Sequence, residues 1–498
     1  MAGDLVGWGR VFEIVNYWQV LLANPPLQKS RSIALNIISQ KIVKKFMNLD
    51  FHRFCDACNP SHSLMLGNAE DERYYIDFAS VRGGKIINIL KRTITRVSPD
   101  KRTCQLFTGH IGCGKSTELS RLQKELTEEG FHVVYFESTK DLDEMDLDLT
   151  DIMLAIARRV TQSLEEGNIS LQPQGFKEFL KNSWNFLQTP VTLEAEGELF
   201  GGKFKGNTDG NLEVSLPLGI AKITAKTKSN PDLRSKLRQY MEPQANKMLE
   251  LINQEIIDVA IQQLKQRGKK GLVVIVDNLD RIVDRPNAAG ILLPEYIFIN
   301  RGDDLRKLNC HLVYTLPLGL IFGNESEILK NRLGGGVDPK VLPMVPVKNR
   351  DGSECVEGMN LLRRLVMSRA FPDVSTEEHI ALITEVFDSP ETLDELCRVS
   401  GGHLRNLMGM LFGCLQQDDP PISQDVLRSV IRSSRDSLSR GIDNDEWELL
   451  FKVVKEQSIN GDKEYQDLLR NLWVFEYVDK EKTWFALNPL LMETDKFK

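Results

Sequence analysis

The sequence predicts an α/β fold in which crossover helices connect the strands of a parallel sheet. Three observations predict it. Short apolar runs alternate with amphipathic segments from Thr103 onward. A glycine-rich turn separates the first apolar run from the segment that follows it. The most apolar run of the chain, residues 271–276, ends at Asp277, as a buried strand with a polar tip does.

Length and composition exclude several classes of protein. The 498 residues allow about three domains. With 41% hydrophobic and 27% charged residues, the chain is neither collagen-like nor wholly disordered. Its net charge of −7 gives no basic excess of the kind that coats nucleic acid. The eight cysteines, mostly isolated, favour a reducing cytoplasm, and no segment reaches the ~18 apolar residues of a membrane span.

The first region, residues 1–70, is predicted to be helical. Within it, residues 27–54 carry six basic side chains and one acid, a charge of +5. The α/β region then extends over residues 71–347. Its first strand is 103–109, its first helix 115–129 and its second strand 131–138.

Residues 190–230 interrupt this rhythm, because polar and apolar residues alternate there around glycine-rich turns. That pattern predicts a β-hairpin insertion. A long helix is predicted over about 243–267. Residues 348–440 read as helical, and residues 441–498 as helix, strand, charged turn and strand after a further helix, which predicts a winged helix.

The glycine-rich turn has the pattern G-x-x-x-x-G-K-[ST] between a strand and a helix. This is the P-loop, in which glycines let backbone N–H groups and a helix N-terminus surround phosphates. We expect Lys115 to reach the β- and γ-phosphates and Ser116 to supply an oxygen to Mg²⁺. The predicted ATP-binding residues are Gly109, His110, Ile111, Gly112, Cys113, Gly114, Lys115, Ser116 and Thr117.

A P-loop also needs a carboxylate at the end of a neighbouring buried strand to hold the Mg²⁺ shell. Asp277 has that position, so Ser116 and Asp277 are the predicted metal residues. The sequence therefore predicts binding of ATP with Mg²⁺, and an ATPase.

The P-loop paired with Asp277 resembles the AAA+/STAND branch of P-loop ATPases, over about residues 75–498. The resemblance implies a catalytic Glu directly after the Mg²⁺ carboxylate, but Asn278 stands there, which predicts slow hydrolysis. Asp280 could orient the water instead, or could form an ion pair with Arg281. Ahead of the P-loop, residues 74–77 and 82–84 lie where the family holds adenine.

Further roles follow from the same resemblance. Thr315, at the end of the strand 311–315, matches the polar sensor of the fourth core strand. Arg332 resembles the arginine finger that stabilises a γ-phosphate on a neighbouring subunit. Residues 348–440 resemble the family's lid. Within it, Arg405 follows a Gly-Gly turn at a helix start, as in the second-sensor motif of origin-recognition-type initiators.

Two weaker clusters remain. His52, Cys55, Cys58 and His62 could in principle ligate zinc, although all four fall within eleven residues, whereas structural zinc sites join two separated pairs. The acidic run over residues 141–151 lacks the glycine and terminal glutamate of a calcium loop. It is predicted to be a solvated loop that caps the next helix.

Two functions are compatible with the sequence. One is a STAND-type switch that oligomerises in signalling, such as antiviral defence, and needs a protein trigger or effector. The other is an initiator-like or transposition-type ATPase that binds DNA. Residues 441–498 carry 13 acids and 8 bases, and residues 464–473 a single base, Arg470, which favours the switch. An inert nucleotide-binding scaffold is a third alternative.

Overall fold

The structure is a computed structural model that describes residues 49–188, 216–228, 230–287, 289–479 and 482–497. The chain divides into two compact units, residues 1–54 and 55–498. The first is described only over residues 49–54, and apart from the helix that begins there the following concerns the second. Within the described ranges, no helix combines the length and the apolar character that crossing a bilayer requires.

Five parallel strands form the central sheet, in the spatial order β2-β3-β4-β1-β5. They are β1 (Cys104–Gly109), β2 (His132–Glu137), β3 (Leu272–Asp277), β4 (His311–Thr315) and β5 (Lys340–Leu342). The predicted parallel α/β sheet is thereby confirmed. Because parallel strands end at the same edge, Gly109, Asp277 and Thr315 lie side by side, with β4 between β1 and β3.

The helices up to β3 are α1 (Phe51–Cys58), α2 (Ala69–Glu72), α3 (Ile86–Arg92), α4 (Lys115–Glu128), α5 (Ser138–Asp141), α6 (Leu149–Glu166), α7 (Gln174–Gln188), α8 (Leu216–Lys228), α9 (Pro231–Met241), α10 (Ala245–Leu251) and α11 (Asp258–Gln266). Short 3₁₀ and π segments join α9, α10 and α11 into an almost continuous helical stretch. It contains the predicted helix over 243–267 and begins earlier, at Pro231, which Asn230 caps by accepting from two backbone N–H groups.

After β3 the chain forms α12 (Gly302–Leu305), α13 (Gly319–Phe322), α14 (Ser326–Arg332), α15 (Val356–Ala370), α16 (Thr376–His379), α17 (Ile383–Val386), α18 (Pro390–Val399), α19 (Leu404–Leu415), α20 (Gln424–Ser439), α21 (Asn444–Glu456), α22 (Lys463–Arg470) and α23 (Pro489–Met492). Residues 348–440 are therefore helical, as predicted. The division into four domains remains a prediction.

The sheet is covered on both faces, which explains its continuous apolar strands. On one face, alternate residues such as Val274 and Leu312 pack against α6, α8 and the helices that precede β3. On the other, Val273 and Val313 pack against α4. All six residues of β3 are buried, so Asp277 is held at a position that water does not reach.

The predicted β-hairpin insertion is wrong where it can be compared. Residues 216–228 form α8, and the rest of the insertion, 189–215, lies outside the described residues. Leu216, Ile220 and Ile223 are buried in the same core as α6. Their spacing of four and three residues is helical, so tertiary packing of one apolar face outweighed the apparent alternation in the sequence.

The acidic run over residues 141–151 is not a solvated loop. Asp141 accepts two hydrogen bonds from Arg159, at 2.6 and 2.9 Å. Arg234 and Arg238, both on α9, form ion pairs with the carboxylates of the run, at 2.8 Å from Asp143 and 3.0 Å from Asp146. The expected helix cap is present, since Asp148 and the side chain of the third helical residue form a capping box on α6.

The C-terminal module, defined here as residues 444–497, contains α21, α22 and an antiparallel hairpin of β6 (Val474–Asp479) and β7 (Lys482–Leu487). This is the order of elements that a winged helix requires, and the winged-helix assignment stays a prediction. The module has a core of its own, which also includes Leu318 from the segment after β4. Phe475 and Tyr477 of β6 belong instead to the core that contains α4. The hairpin thus packs between the two cores.

Candidate active site

The P-loop runs from the end of β1 to the start of α4 and has the predicted strand–turn–helix context. Gly112 and Gly114 have φ angles of 89° and 104°, a region that glycine enters without steric cost. A Cβ at Gly109 would lie 2.5 Å from the Leu342 carbonyl oxygen. The glycine spacing therefore follows from backbone conformation and from close approach of neighbouring segments.

Lys115 is buried, and its ammonium is held inside the loop. Its Nζ donates to the carbonyl oxygens of Gly109 at 2.7 Å and His110 at 2.8 Å. It also forms an ion pair with Asp280 Oδ2 at 2.9 Å. Burial by itself lowers the pKa of Lys115, but the nearby Asp280, Cys113 and Asp277 outweigh it and raise the pKa. Asp280 pairs with Lys115, and the ion pair with Arg281 that the sequence offered as an alternative is not among the described contacts.

Asp277 is fully buried and accepts two hydrogen bonds. Tyr135 Oη donates to Oδ2 at 2.8 Å and the Asn278 N–H donates to Oδ1 at 2.7 Å, and the Ser116 hydroxyl lies near the same carboxylate. Burial, followed by the charge of Asp280, raises the pKa of Asp277, whereas these bonds act in the opposite direction. The structure therefore brings together the two residues predicted to hold Mg²⁺, Ser116 and Asp277.

Tyr135 is a site residue that sequence reasoning missed. It lies on β2, which pairs with β3 in the register Tyr135–Ile275, so its side chain reaches the end of the neighbouring strand. Burial and the charge of Asp277 raise the pKa of the Tyr135 phenol, which keeps it a hydrogen-bond donor. A tyrosine three residues before the end of the predicted strand 131–138 was the available signal.

The backbone conformation after Asp277 favours an asparagine at position 278. Its φ of 64° and ψ of 10° are left-handed, a conformation that asparagine tolerates better than other non-glycine residues. The turn directs the chain so that Asp280 reaches Lys115. This conformation accounts for an asparagine at the position where the family resemblance implies a glutamate.

Thr315 is buried at the end of β4 and supports this turn. Its Oγ1 accepts a hydrogen bond from the Leu279 N–H at 3.0 Å. The hydroxyl is therefore engaged with the segment that carries Asp277 and Asp280. Its contact shows a positioning role, and the predicted sensor role stays a prediction.

The segment over residues 400–407, predicted to form part of a lid, contacts the P-loop directly. The Arg405 N–H donates to the Gly112 carbonyl oxygen at 3.2 Å. His403 Nε2 donates to the Ile111 carbonyl oxygen at 2.7 Å, and its Nδ1 accepts from the Asn406 N–H at 3.0 Å. His403 thereby caps α19 and ties it to the loop.

Burial keeps His403 neutral, and nearby positive charges act in the same direction. Burial lowers its pKa to about 4, with Arg405 and Lys115 acting in the same direction. Burial likewise lowers the pKa of Arg405, which nearby Arg281 lowers further and Asp280 raises. The contact that places Arg405 at the loop is its backbone N–H bond to Gly112, and its second-sensor role stays a prediction. His403 belongs to the same motif, although the sequence predicted no role for it.

Arg332 lies elsewhere. Its side chain is 47% exposed at the end of α14, where it donates to the Ile299 carbonyl oxygen at 3.3 Å and lies 4.0 Å from Asp303. These contacts hold it to the segment before β4. A role in trans remains a prediction.

His110, in the P-loop, links the loop to the C-terminal module. Its Nε2 accepts from the Glu476 N–H of β6 at 3.0 Å, and its ring meets Phe475 edge-on at 5.7 Å. Burial lowers the pKa of His110 to about 3. Tyr477 Oη donates to the Gly401 carbonyl oxygen at 2.7 Å. One strand of the module thus contacts both the P-loop and the turn ahead of α19.

The residues that precede the P-loop contribute a buried cation. Arg82 donates from Nη2 to the Cys113 carbonyl oxygen at 2.9 Å, and its guanidinium lies 5.2 Å from the Phe78 ring centroid. Tyr75 Oη donates to Glu118 of α4 at 3.1 Å. These contacts place the approach segment beside the loop, where the family resemblance implies an adenine site.

The zinc ligands suggested by the sequence do not gather. His62 Nε2 lies 3.3 Å from Asp71, and Cys58 is buried, which raises the pKa of its thiol. In the described part of the chain, no three His, Cys, Asp or Glu side chains are grouped so that they could hold a metal ion.

Comparison with known protein families finds a match for the central region of the chain. Residues 84–292 match the KAP family P-loop domain. The chain has a P-loop NTPase fold. A comparison with curated proteins finds no significant match.

Three solved structures to which this chain is similar are two ORC structures and one of Cdc6p. The Aeropyrum pernix ORC2 protein, in ADPNP and ADP complexes, is 10% identical with a TM-score of 0.35, covering 81% of this chain and 89% of that one. Drosophila ORC bound to DNA has the same identity and TM-score and covers 87% and 88%. Cdc6p from Pyrobaculum aerophilum is 12% identical with a TM-score of 0.36 and covers 87% and 94%.

Proposed function

We propose that the chain binds ATP with Mg²⁺, hydrolyses it slowly, and acts as a nucleotide-controlled switch. The observation that carries the proposal is the convergence of Lys115 and Ser116 with Asp277 and Asp280 at one edge of the sheet. Backbone N–H groups of the loop and the N-terminus of α4 would receive the phosphates. Mg²⁺ would be held by Ser116 and Asp277 and would neutralise charge between the β- and γ-phosphates.

Hydrolysis requires the Lys115–Asp280 ion pair to open. When phosphate oxygens take up the Lys115 ammonium, the Asp280 carboxylate is released to accept a hydrogen bond from the attacking water. Its Oδ1 is already buried without a hydrogen-bond partner, so one oxygen is available. Asp280 then performs the task that the family resemblance assigns to a glutamate at position 278.

The switch itself would act through α19. Because His403 and Arg405 contact the P-loop at Ile111 and Gly112, a phosphate that reshapes the loop also displaces the start of this helix. Arg405 would then approach the terminal phosphate. The proposal has three further parts. The chain oligomerises, which brings Arg332 to a neighbour's nucleotide. It responds to a protein trigger or effector, and it acts in cytoplasmic signalling such as antiviral defence.

The test compares steady-state phosphate release by the wild type, Lys115→Ala and Asp280→Asn. Lys115→Ala should abolish turnover. Asp280→Asn should retain nucleotide binding but lose turnover by roughly 100-fold, the contribution of a general base. Arg332→Ala should lower turnover in a concentration-dependent way. Unchanged turnover in Lys115→Ala would refute the site assignment.

DNA binding is the second candidate, supported by the basic charge of residues 27–54. The C-terminal module disfavours DNA binding. Arg470 is the one base within residues 464–473, and its charge is already paired with Asp284. Anisotropy of a labelled duplex with MgATP over a salt series discriminates between the candidates. A dissociation constant below about a micromolar with a steep salt slope would favour DNA binding.

A further inference from the structure

A cleft of about 280 Å³ opens beside the P-loop. Five parts of the chain line it: residues 109–111 of the loop, residues 280–284 after β3, the segments around Glu295 and Gly319, and the end of α22. Lys115 donates to two carbonyl oxygens of the same loop residues, and Asp280 lies in the lining. The cleft is therefore at the end of the loop where a terminal phosphate would lie.

The charges in the cleft come from separate elements. They belong to Asp280, Arg281, Asp284, Glu295 and Arg470. Arg470 is the one contributed by the C-terminal module, and Asp284 holds its guanidinium in an ion pair. Burial raises the pKa of Asp284, while Arg470 pulls it down. Asp284 thus holds Arg470 at the rim of the cleft, in an ion pair that another anion could replace.

Packing fixes the position of α22 beside the cleft. Leu318, next to the cleft residue Gly319, shares a core with Leu468 and Leu469 of this helix. A Cβ at Gly319 would lie 3.3 Å from Gln466. Phe322 meets Phe485 of β7 edge-on at 5.4 Å. Arg470 is consequently brought to the cleft by a shared hydrophobic core, and needs no second copy of the chain to reach it.

We propose that Arg470 binds the terminal phosphate of a nucleoside triphosphate in cis, and so lets the C-terminal module distinguish triphosphate from diphosphate. This inference rests on the proposed nucleotide-binding function. A guanidinium presents paired N–H donors that match phosphate oxygens as well as a carboxylate. On triphosphate binding, the guanidinium exchanges Asp284 for phosphoryl oxygens, whereas a diphosphate leaves the ion pair with Asp284 intact.

The experiment measures dissociation constants of fluorescent ADP and of the non-hydrolysable triphosphate AMP-PNP, both with Mg²⁺. Arg470→Ala should weaken AMP-PNP binding roughly 10- to 100-fold, as expected for loss of a charge-assisted hydrogen bond, and change ADP binding less than about twofold. Arg470→Lys should recover part of the loss. Lys452→Ala, which removes an exposed cation of the preceding helix α21, should change neither constant.

Asp284→Asn provides the opposite perturbation, because it releases Arg470 without removing it. AMP-PNP should then bind more tightly than in the wild type, with ADP unchanged. The inference is overturned if Arg470→Ala weakens both nucleotides equally or neither, or if Asp284→Asn fails to strengthen AMP-PNP binding. A wild type that binds neither nucleotide would instead refute the proposed function.

Discussion

Replacing Asp280 by alanine should destabilise the nucleotide-free protein, because it leaves the Lys115 ammonium buried without a counter-charge. The two side chains are 4% and 5% exposed. Removing one partner of a buried ion pair costs about 3–5 kcal/mol. Lys115 keeps its bonds to two carbonyl oxygens, and Asp277 loses a neighbouring negative charge, so the lower end of this range applies.

The assay is urea unfolding without nucleotide, followed by tryptophan fluorescence. Asp280→Ala should lower the free energy of unfolding by about 3 kcal/mol. Lys115→Met combined with Asp280→Ala should recover most of this loss, because no charge then remains unpaired. The control is Asp304→Ala, which breaks the partly exposed pair with Lys307 and should cost less than about 1 kcal/mol.

A loss below about 1 kcal/mol in Asp280→Ala would show that water already solvates Lys115, and would refute the buried ion pair. A double variant no more stable than the single one would lead to the same conclusion.

Three further predictions concern the contacts around the loop. His403 has a pKa of about 4 in the folded protein against an ordinary value of 6.5, so its contribution to stability is complete above pH 6.5 and is lost as the pH falls. The difference in unfolding free energy between wild type and His403→Gln should therefore shrink by about 2 kcal/mol from pH 7 to pH 5. Burial raises the pKa of Glu476 from 4.5 to about 8, so its contribution to stability is complete below pH 4.5 and is lost as the pH rises through 8. The change in unfolding free energy caused by Glu476→Gln should therefore be about 3 kcal/mol more stabilising at pH 7 than at pH 4.5. An equal change at both pH values would contradict the burial of Glu476. A Cβ at Gly112 would lie 2.9 Å from the His403 ring, so Gly112→Ala should separate α19 from the loop. Fluorescence titration should then show nucleotide binding at least tenfold weaker. The control is Gly409→Ala on α19, where a Cβ meets nothing within 4 Å.

Sequence reasoning failed where a contact depended on which segments pack together. The local alternation over residues 216–228 predicts hairpins, because it gives no sign of the core that buries one face of the helix. The pattern of the acidic run predicts a solvated loop, because two of its arginine partners lie some ninety residues later, on α9. Neither partner could be inferred from spacing along the chain.

The sequence by itself determined the parallel α/β fold, the P-loop and the carboxylate at the end of β3. These are local patterns, in which glycine conformation, strand burial and helix start are dictated by neighbouring residues. Only the tertiary structure decided that Asp280 pairs with Lys115, that Tyr135 bonds Asp277, and that the C-terminal module places Arg470 at the cleft. Such contacts join segments up to several hundred residues apart, and they form because burial leaves each charge or hydroxyl with few other partners.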